Sequence, residues 1–160
     1  MRQDLKERII FTDMYKELYD ALPNIEWVEL TDPATKDDIA SVKGQLGVHL
    51  PEELYSFYLE SDGDGCAIFP VTRLVSDNKD LRRMADGMYM PLDCFLFFGD
   101  NGCGDYFGYP IIGGEVEESR IFMWNHDTDE RFFICNTLEE FINLYYGDEA
   151  AGDEVMGKRM

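Results

Sequence analysis

The 160-residue chain predicts a single α+β domain, a mainly antiparallel sheet from the C-terminal half packed by about four helices. Three observations predict it. Up to residue 61, apolar residues recur at three- and four-residue spacing in segments closed by Pro or Gly. From Pro91 to residue 136 the pattern changes to short aromatic and β-branched runs between Gly- and Asp-rich turns, and residues 137–146 return to helical spacing. A hydrophobic fraction of 45% and 22 aromatic residues suffice for one core, and no linker, repeat or low-complexity tract divides the chain. The expected domain spans residues 1–147, and the small, acidic stretch 148–160 reads as a flexible tail.

The first helix is expected near residues 4–22, with Ile10, Met14, Leu18 and Leu22 as its stripe, Tyr15 beside them, and Pro23 closing it. "IEWVEL" then reads as a short strand with Trp27 half-buried. A second helix over 36–46 has Thr35 as its cap, Asp38 at capping-box spacing, a stripe of Ile39, Val42 and Leu46, and Gly47 for a left-handed end. A third, over 51–61, starts at Pro51 with Glu52 and Glu53 complementing the helix dipole, turns Leu54, Phe57 and Tyr58 inward, and stops at Gly63 and Gly65. "CAIFP" reads as a strand and residues 71–92 as a connection with one helical turn. "DCFLFFGD" and "DYFGYPII" form a hairpin across GDNGCGD, and "RIFMWNH" and "RFFICN" another across HDTDE. The last helix, 138–146, has Thr137 and Glu140 as a capping box and Leu138, Phe141, Ile142 and Tyr145 on one face.

Charge narrows the function. Thirty-three acids face 14 bases, for a net charge of −19, and residues after 22 carry 28 acids against 10 bases. No base lies between Lys43 and Arg73, or between Arg83 and Arg120. Such a surface repels nucleic acid and anionic lipid and attracts basic partners. No apolar run approaches the ~20 residues of a membrane span, and the charged N-terminus does not read as a signal peptide, so a cytoplasmic protein is expected. Cys66, Cys94, Cys103 and Cys135 form no CxxC pair and read as reduced core thiols.

No cofactor or metal is expected. A calcium loop started at Asp100 has glycines where ligands belong, and one started at Asp62 has Cys66 and Arg73 at two ligand positions. No lysine follows the glycines of FGDNGCGD, as a phosphate-binding loop requires, and its two flanking carboxylates would repel a phosphate. His126 lies in a turn signal, so neither Cys103 nor Cys135 acquires a readable catalytic base. The glycines of this loop read as turn residues, with Asp and Asn bonding nearby amides.

The order of segments resembles the SUKH superfamily of Smi/Knr-like domains. Leu50–Pro51, Leu54, Phe57 and Gly63 match its first helix and Gly-rich turn; Gly102, Gly104 and Asp105 its G-x-G-D segment; Trp124, His126 and Asp127 its W-x-H-[DE] turn; and Thr137, Phe141 and Leu144 its closing helix. The match covers about residues 35–147, with low similarity over residues 71–92 and the first helix unmatched. The resemblance implies an α+β domain without enzymatic activity, in many bacterial members an immunity protein that neutralises a polymorphic, often nuclease, toxin. It also implies structural roles for Asp105 and Trp124. A basic partner, with acids of the two Gly-rich corners (Asp62, Asp64, Asp100 and Asp105) as its contacts, is the expectation; the alternative is a small ligand-binding domain or hydrolase using His126 or the Asp100–Asp105 loop.

Overall fold

The computed structural model describes residues 13–85 and 91–147, so the expected start of the first helix and the 148–160 tail lie outside the described residues. The helices are α1 (Met14–Asp20), α2 (Lys36–Leu46), α3 (Glu52–Tyr58), α4 (Val71–Met84) and α5 (Leu138–Tyr146). Between α4 and α5 run β1 (Phe95–Asp100), β2 (Tyr106–Ile112), β3 (Glu115–Val116), β4 (Ile121–Trp124) and β5 (Arg131–Cys135). All pairings are antiparallel in the order β1-β2-β4-β5, with β3 folding back on the end of β2. This is the predicted α+β arrangement, with both predicted hairpins in place.

Alternation along the strands gives the sheet two apolar faces. Leu96, Phe98, Phe107, Tyr109 and Met123 join the main core, where Phe141 of α5 lies edge-on to Phe98 and Phe107 at 5.1 and 4.9 Å. Phe95, Phe97 and Trp124 form a second cluster with Leu81, Ala85 and Leu92. Leu54, Phe57 and Tyr58 of α3 are fully buried as the stripe predicts, each contributing roughly 1.5–3 kcal/mol by burial.

Four expectations need correction. Residues 71–84 are a four-turn helix, not a connection. Its buried positions are Val71, Leu74, Asn78 and Leu81, and the asparagine breaks an otherwise regular apolar stripe. Asn78 is buried because its amide serves the sheet: Oδ1 accepts the Phe97 N–H at 2.9 Å, and Nδ2 donates to the Phe97 carbonyl at 2.7 Å. "IEWVEL" forms no strand, and Trp27 is 75% exposed. "CAIFP" reduces to a single bridge, Ile68 to Gly99. In α1 the buried side chains are Tyr15 and Tyr19, while Met14 is 48% exposed. The tyrosines win because their hydroxyls find buried acceptors, Glu53 O at 3.2 Å and Asp64 Oδ2 at 2.8 Å.

Candidate functional site

Several of the acids are spent on the protein's own main chain. A helix begins with unpaired N–H groups that a carboxylate can satisfy, and in four of the five described helices that carboxylate comes from a distant segment. Glu60 takes the Tyr15 and Lys16 amides of α1. Glu118 takes the Glu52 amide of α3, Asp62 the Val71 amide of α4, and Glu53 the Leu138 amide of α5. The chemistry explains the need: α3 and α4 are preceded by Pro51 and Pro70, which have no side-chain acceptor to offer. Only α2 is capped from its own side chain alone, by Thr35 on the Asp38 amide, with Gly47 left-handed at its end. In α5, Thr137 caps the Glu140 amide as predicted, while Glu140 reaches back past the cap to the Asn136 amide, one residue before the position a capping box uses.

The first Gly-rich corner is built around Asp64, which is fully buried. Its Oδ1 accepts the Cys66 and Ile68 amides, both at 2.9 Å, and its Oδ2 accepts the hydroxyls of Tyr19 at 2.8 Å and Tyr146 at 2.6 Å. Residues 45 and 82 positions away thus converge on one carboxylate. Burial, with the Asp64 charge beside them, holds both phenols far above their usual range. Asp62, two residues earlier, is half-buried and ties the Val71 amide at 2.9 Å.

The second corner is the FGDNGCGD turn. Asp105 is only 6% exposed. Its Oδ1 accepts from His126 N–H at 3.1 Å and faces His126 Nδ1 at 2.7 Å, and its Oδ2 accepts from Asn101 Nδ2 at 3.0 Å. Burial raises the Asp105 pKa, but the bonds from His126 and Asn101 outweigh it and hold the carboxyl below its ordinary value. The His126 imidazole moves the other way, raised first by its bond to Asp105. Its second nitrogen faces Asp127 at 3.3 Å, so both ring nitrogens meet carboxylates and neither is given to a thiol or hydroxyl nucleophile. Asp100 is held by Arg73 at 3.0 Å, and Arg73 also stacks on Phe69 and bonds Asp77. Burial raises the Asp100 carboxyl against the lowering pull of Arg73.

These placements correct the expected contact set. Asp64 and Asp105 point inward and hold the two corners together, so neither presents a carboxylate to a partner. Asp100 is largely consumed by Arg73. Asp62 borders an open groove, about 520 Å³ in volume, with Glu29, Thr31 and Asp32 around it and no base in its lining among the described residues. Sequence reasoning missed Glu29 and Asp32, which are exposed; they lie between Lys16 and Lys36 in a third stretch without a base, which with Pro33 was the available signal.

Among the described residues, the bases are mostly engaged. Arg73, Arg83, Arg120 and Arg131 pair with Asp100, Asp80, Glu117 and Asp129, and Lys43 and Arg82 bond main-chain carbonyls. The four cysteines are thiols. Cys135 is buried and pushed up to about 12 by burial, whereas the other three are half-buried rather than core. Among the described residues, no group of three His, Cys, Asp or Glu side chains is placed to hold a metal ion, and no helix is long and apolar enough to cross a membrane.

A search of curated proteins matches none. The SMI1 / KNR4 family (SUKH-1) model matches residues 33–144, a span that begins at the edge of the acidic groove, takes in both Gly-rich corners and ends within α5. The chain therefore belongs to the SMI1 / KNR4 family (SUKH-1).

Proposed function

We propose that this domain is a non-catalytic protein-binding module whose partner is a basic protein, in the manner of a bacterial immunity protein neutralising a nuclease-type toxin. The observation that carries this reading is the groove of Glu29, Asp32 and Asp62, without a base in its lining among the described residues, where most of the described cations are spent on the protein's own acceptors. A protein that holds phosphates presents a basic cleft, and a rigid acidic groove complements it. Charges of this kind act mainly on the rate of encounter, through a field that salt screens within ~8–10 Å. The groove sits on a corner fixed by Asp64 and Pro70, so its acids are held in place before any partner arrives.

The test is capture from the native host by wild-type protein and by a Glu29→Lys/Asp32→Lys variant. Both positions are exposed, so the variant should fold. A basic polypeptide retained by the wild type and lost from the variant is the expected result, with an association rate falling roughly tenfold or more between low and physiological salt. An acidic partner, or one whose association ignores salt and the double reversal, overturns the reading.

A further inference from the structure

The two edges of the sheet are finished differently. The outer edge of β1 is covered: the Asn78 amide bonds Phe97 on both its N–H and C=O, the Phe69 N–H bonds the Phe98 carbonyl at 2.9 Å, and the Asp100 N–H bonds the Ala67 carbonyl at 3.0 Å. β5 ends the strand order on the other side, and no strand pairs with its outer edge among the described residues. The Asn125 N–H bonds the Glu130 carbonyl at 2.9 Å. With Trp124 opposite Arg131 and Phe122 opposite Phe133, ladder alternation turns the main-chain N–H and C=O of Phe133 away from β4.

The side chains along this edge are unusual for an open strand. Natural edges are blunted by outward lysines, prolines or strong bulges, and β5 carries one of these, a register shift that leaves Ile134 without a partner on β4 next to Phe133. Here Phe132 is 37% and Phe133 48% exposed, one on each face. Phe133 lies edge-on to Phe122 at 6.0 Å, and Phe122 touches Phe95, so an apolar surface runs from the second cluster to the rim. Arg131, the strand's one charge, is turned to Asp129, the Pro91 carbonyl and Cys94. The exposed charges at the strand's two ends are all acidic: Glu130 before it, Glu139 and Glu140 after it.

We propose that the outer edge of β5 receives an extended segment of a partner protein by strand addition, a segment with apolar side chains at alternate positions on the face that carries Phe133 and with lysine or arginine toward its ends. Main-chain bonds to Phe133 set its register, and the Phe133 ring and terminal acids select it. The charges choose a basic partner over a second copy of this chain. Two copies paired antiparallel would set the Glu130 end of each against the Glu139–Glu140 end of the other, and like charges placed across a strand pair oppose it. The edge goes beyond the acidic groove and involves different residues, so each can fail without the other.

The test uses the full chain and a synthetic peptide with a five-residue core of alternating valine and threonine and two lysines at each end. The comparison peptide carries glutamates in place of the lysines. Amide exchange is read at Phe133. In the free protein at low concentration this amide should exchange fast, and the lysine-flanked peptide should slow it by roughly tenfold or more. The glutamate-flanked peptide, or an analogue N-methylated on its edge-facing amides, should have little effect. Phe133→Lys should abolish binding without changing the urea midpoint appreciably, whereas the Glu29→Lys/Asp32→Lys variant should bind the peptide as the wild type does. Four results overturn the proposal: slow Phe133 exchange in the free protein, which would mean the edge is already covered; equal binding of both peptides; binding unaffected by N-methylation; or a concentration-dependent dimer that Phe133→Lys abolishes.

Discussion

The two Gly-rich corners look alike in sequence, each an aspartate beside glycines, yet they are built on opposite electrostatic terms. At the first, Asp64 is held by two phenol hydroxyls and two amides with no cation in contact. At the second, Asp105 is held by a titratable, partly exposed imidazole and a buried asparagine. One corner is a buried hydrogen-bond hub joining α1, the corner loop and α5. The other is a local latch between the β1–β2 and β4–β5 turns. The comparison teaches that a carboxylate's role is set by what converges on it in space, and that the hub should govern stability while the latch should govern its pH dependence.

The largest effect should come from Asp64→Ala. It leaves two hydroxyls and two amides buried without an acceptor, each costing about 1–3 kcal/mol. That is enough to remove most of the ~5–15 kcal/mol that holds a domain of this size. Asp64→Asn keeps Oδ1 for the Cys66 and Ile68 amides and should recover a large share. Urea unfolding of the two variants measures the hub; an Asp64→Ala protein as stable as wild type would break the contrast.

Next in size are the glycines. A Cβ on Gly63, at φ +86°, would lie 2.7 Å from Pro70 N and 2.9 Å from Ile68 O, main-chain atoms that cannot step aside. A Cβ on Gly104, at φ +99°, would lie 2.9 Å from the His126 ring, a side chain that can. Both alanines pay the left-handed strain of about 1–2 kcal/mol, but Gly63→Ala should cost clearly more. Adding His126→Ala should relieve part of the Gly104→Ala cost and none of the Gly63→Ala cost, a non-additivity that a double-mutant cycle reads directly.

How much of this was legible follows from where the determinants lie. The α5 helix and both hairpins were readable because their signals are local: Thr137 and Glu140 three residues apart, four apolar residues at helical spacing, glycines in the first turn and aspartates in the second. The α4 helix was not, because Asn78 occupies a core position in its stripe for a reason visible only once Phe97 is beside it. The Asp62–Asp64 corner was legible as a turn but not as a hub, since Tyr19 and Tyr146 reach it from distant segments. Counting acids along the chain could not separate Asp64, Glu53 and Glu60, which serve tyrosines and helix ends, from Glu29 and Asp32, which face the groove. Reading an exposed surface from charge alone overlooks how many carboxylates a helix-rich fold can take up at its N-termini.

Asp105→Asn should have a smaller effect on stability than any change at the hub, and its diagnostic is a titration. Replacing the carboxylate weakens its bonds to His126, and solvent at the partly exposed ring screens that loss. His126, raised in the wild type by its Asp105 bond, should fall back toward the ordinary ~6.5 in the variant, read by proton NMR of the imidazole.

The smallest effect, and the one that separates the corners most cleanly, is the pH dependence of the difference between wild type and Asp105→Asn. Because the folded-state pKa of His126 is raised, its contribution to stability is complete below the unfolded value near ~6.5 and is lost as pH rises through the folded value. Because that of Asp105 is lowered, its contribution is complete above the unfolded value near ~3.9 and is lost as pH falls through the folded value. The stability gap between the two proteins should therefore be widest in the mildly acid range, between those limits, and narrow on either side. Carboxyls raised by burial, such as Glu53, Glu60 and Asp100, bias stability in the opposite sense but are present in both proteins and drop out of the difference. Urea midpoints measured from pH 4 to 9 trace the gap. A gap that stays constant above pH 6.5 would show that the imidazole bond to Asp105 contributes nothing as an ion pair, and the second corner would then be an uncharged hydrogen-bonded turn, different from the first only in depth.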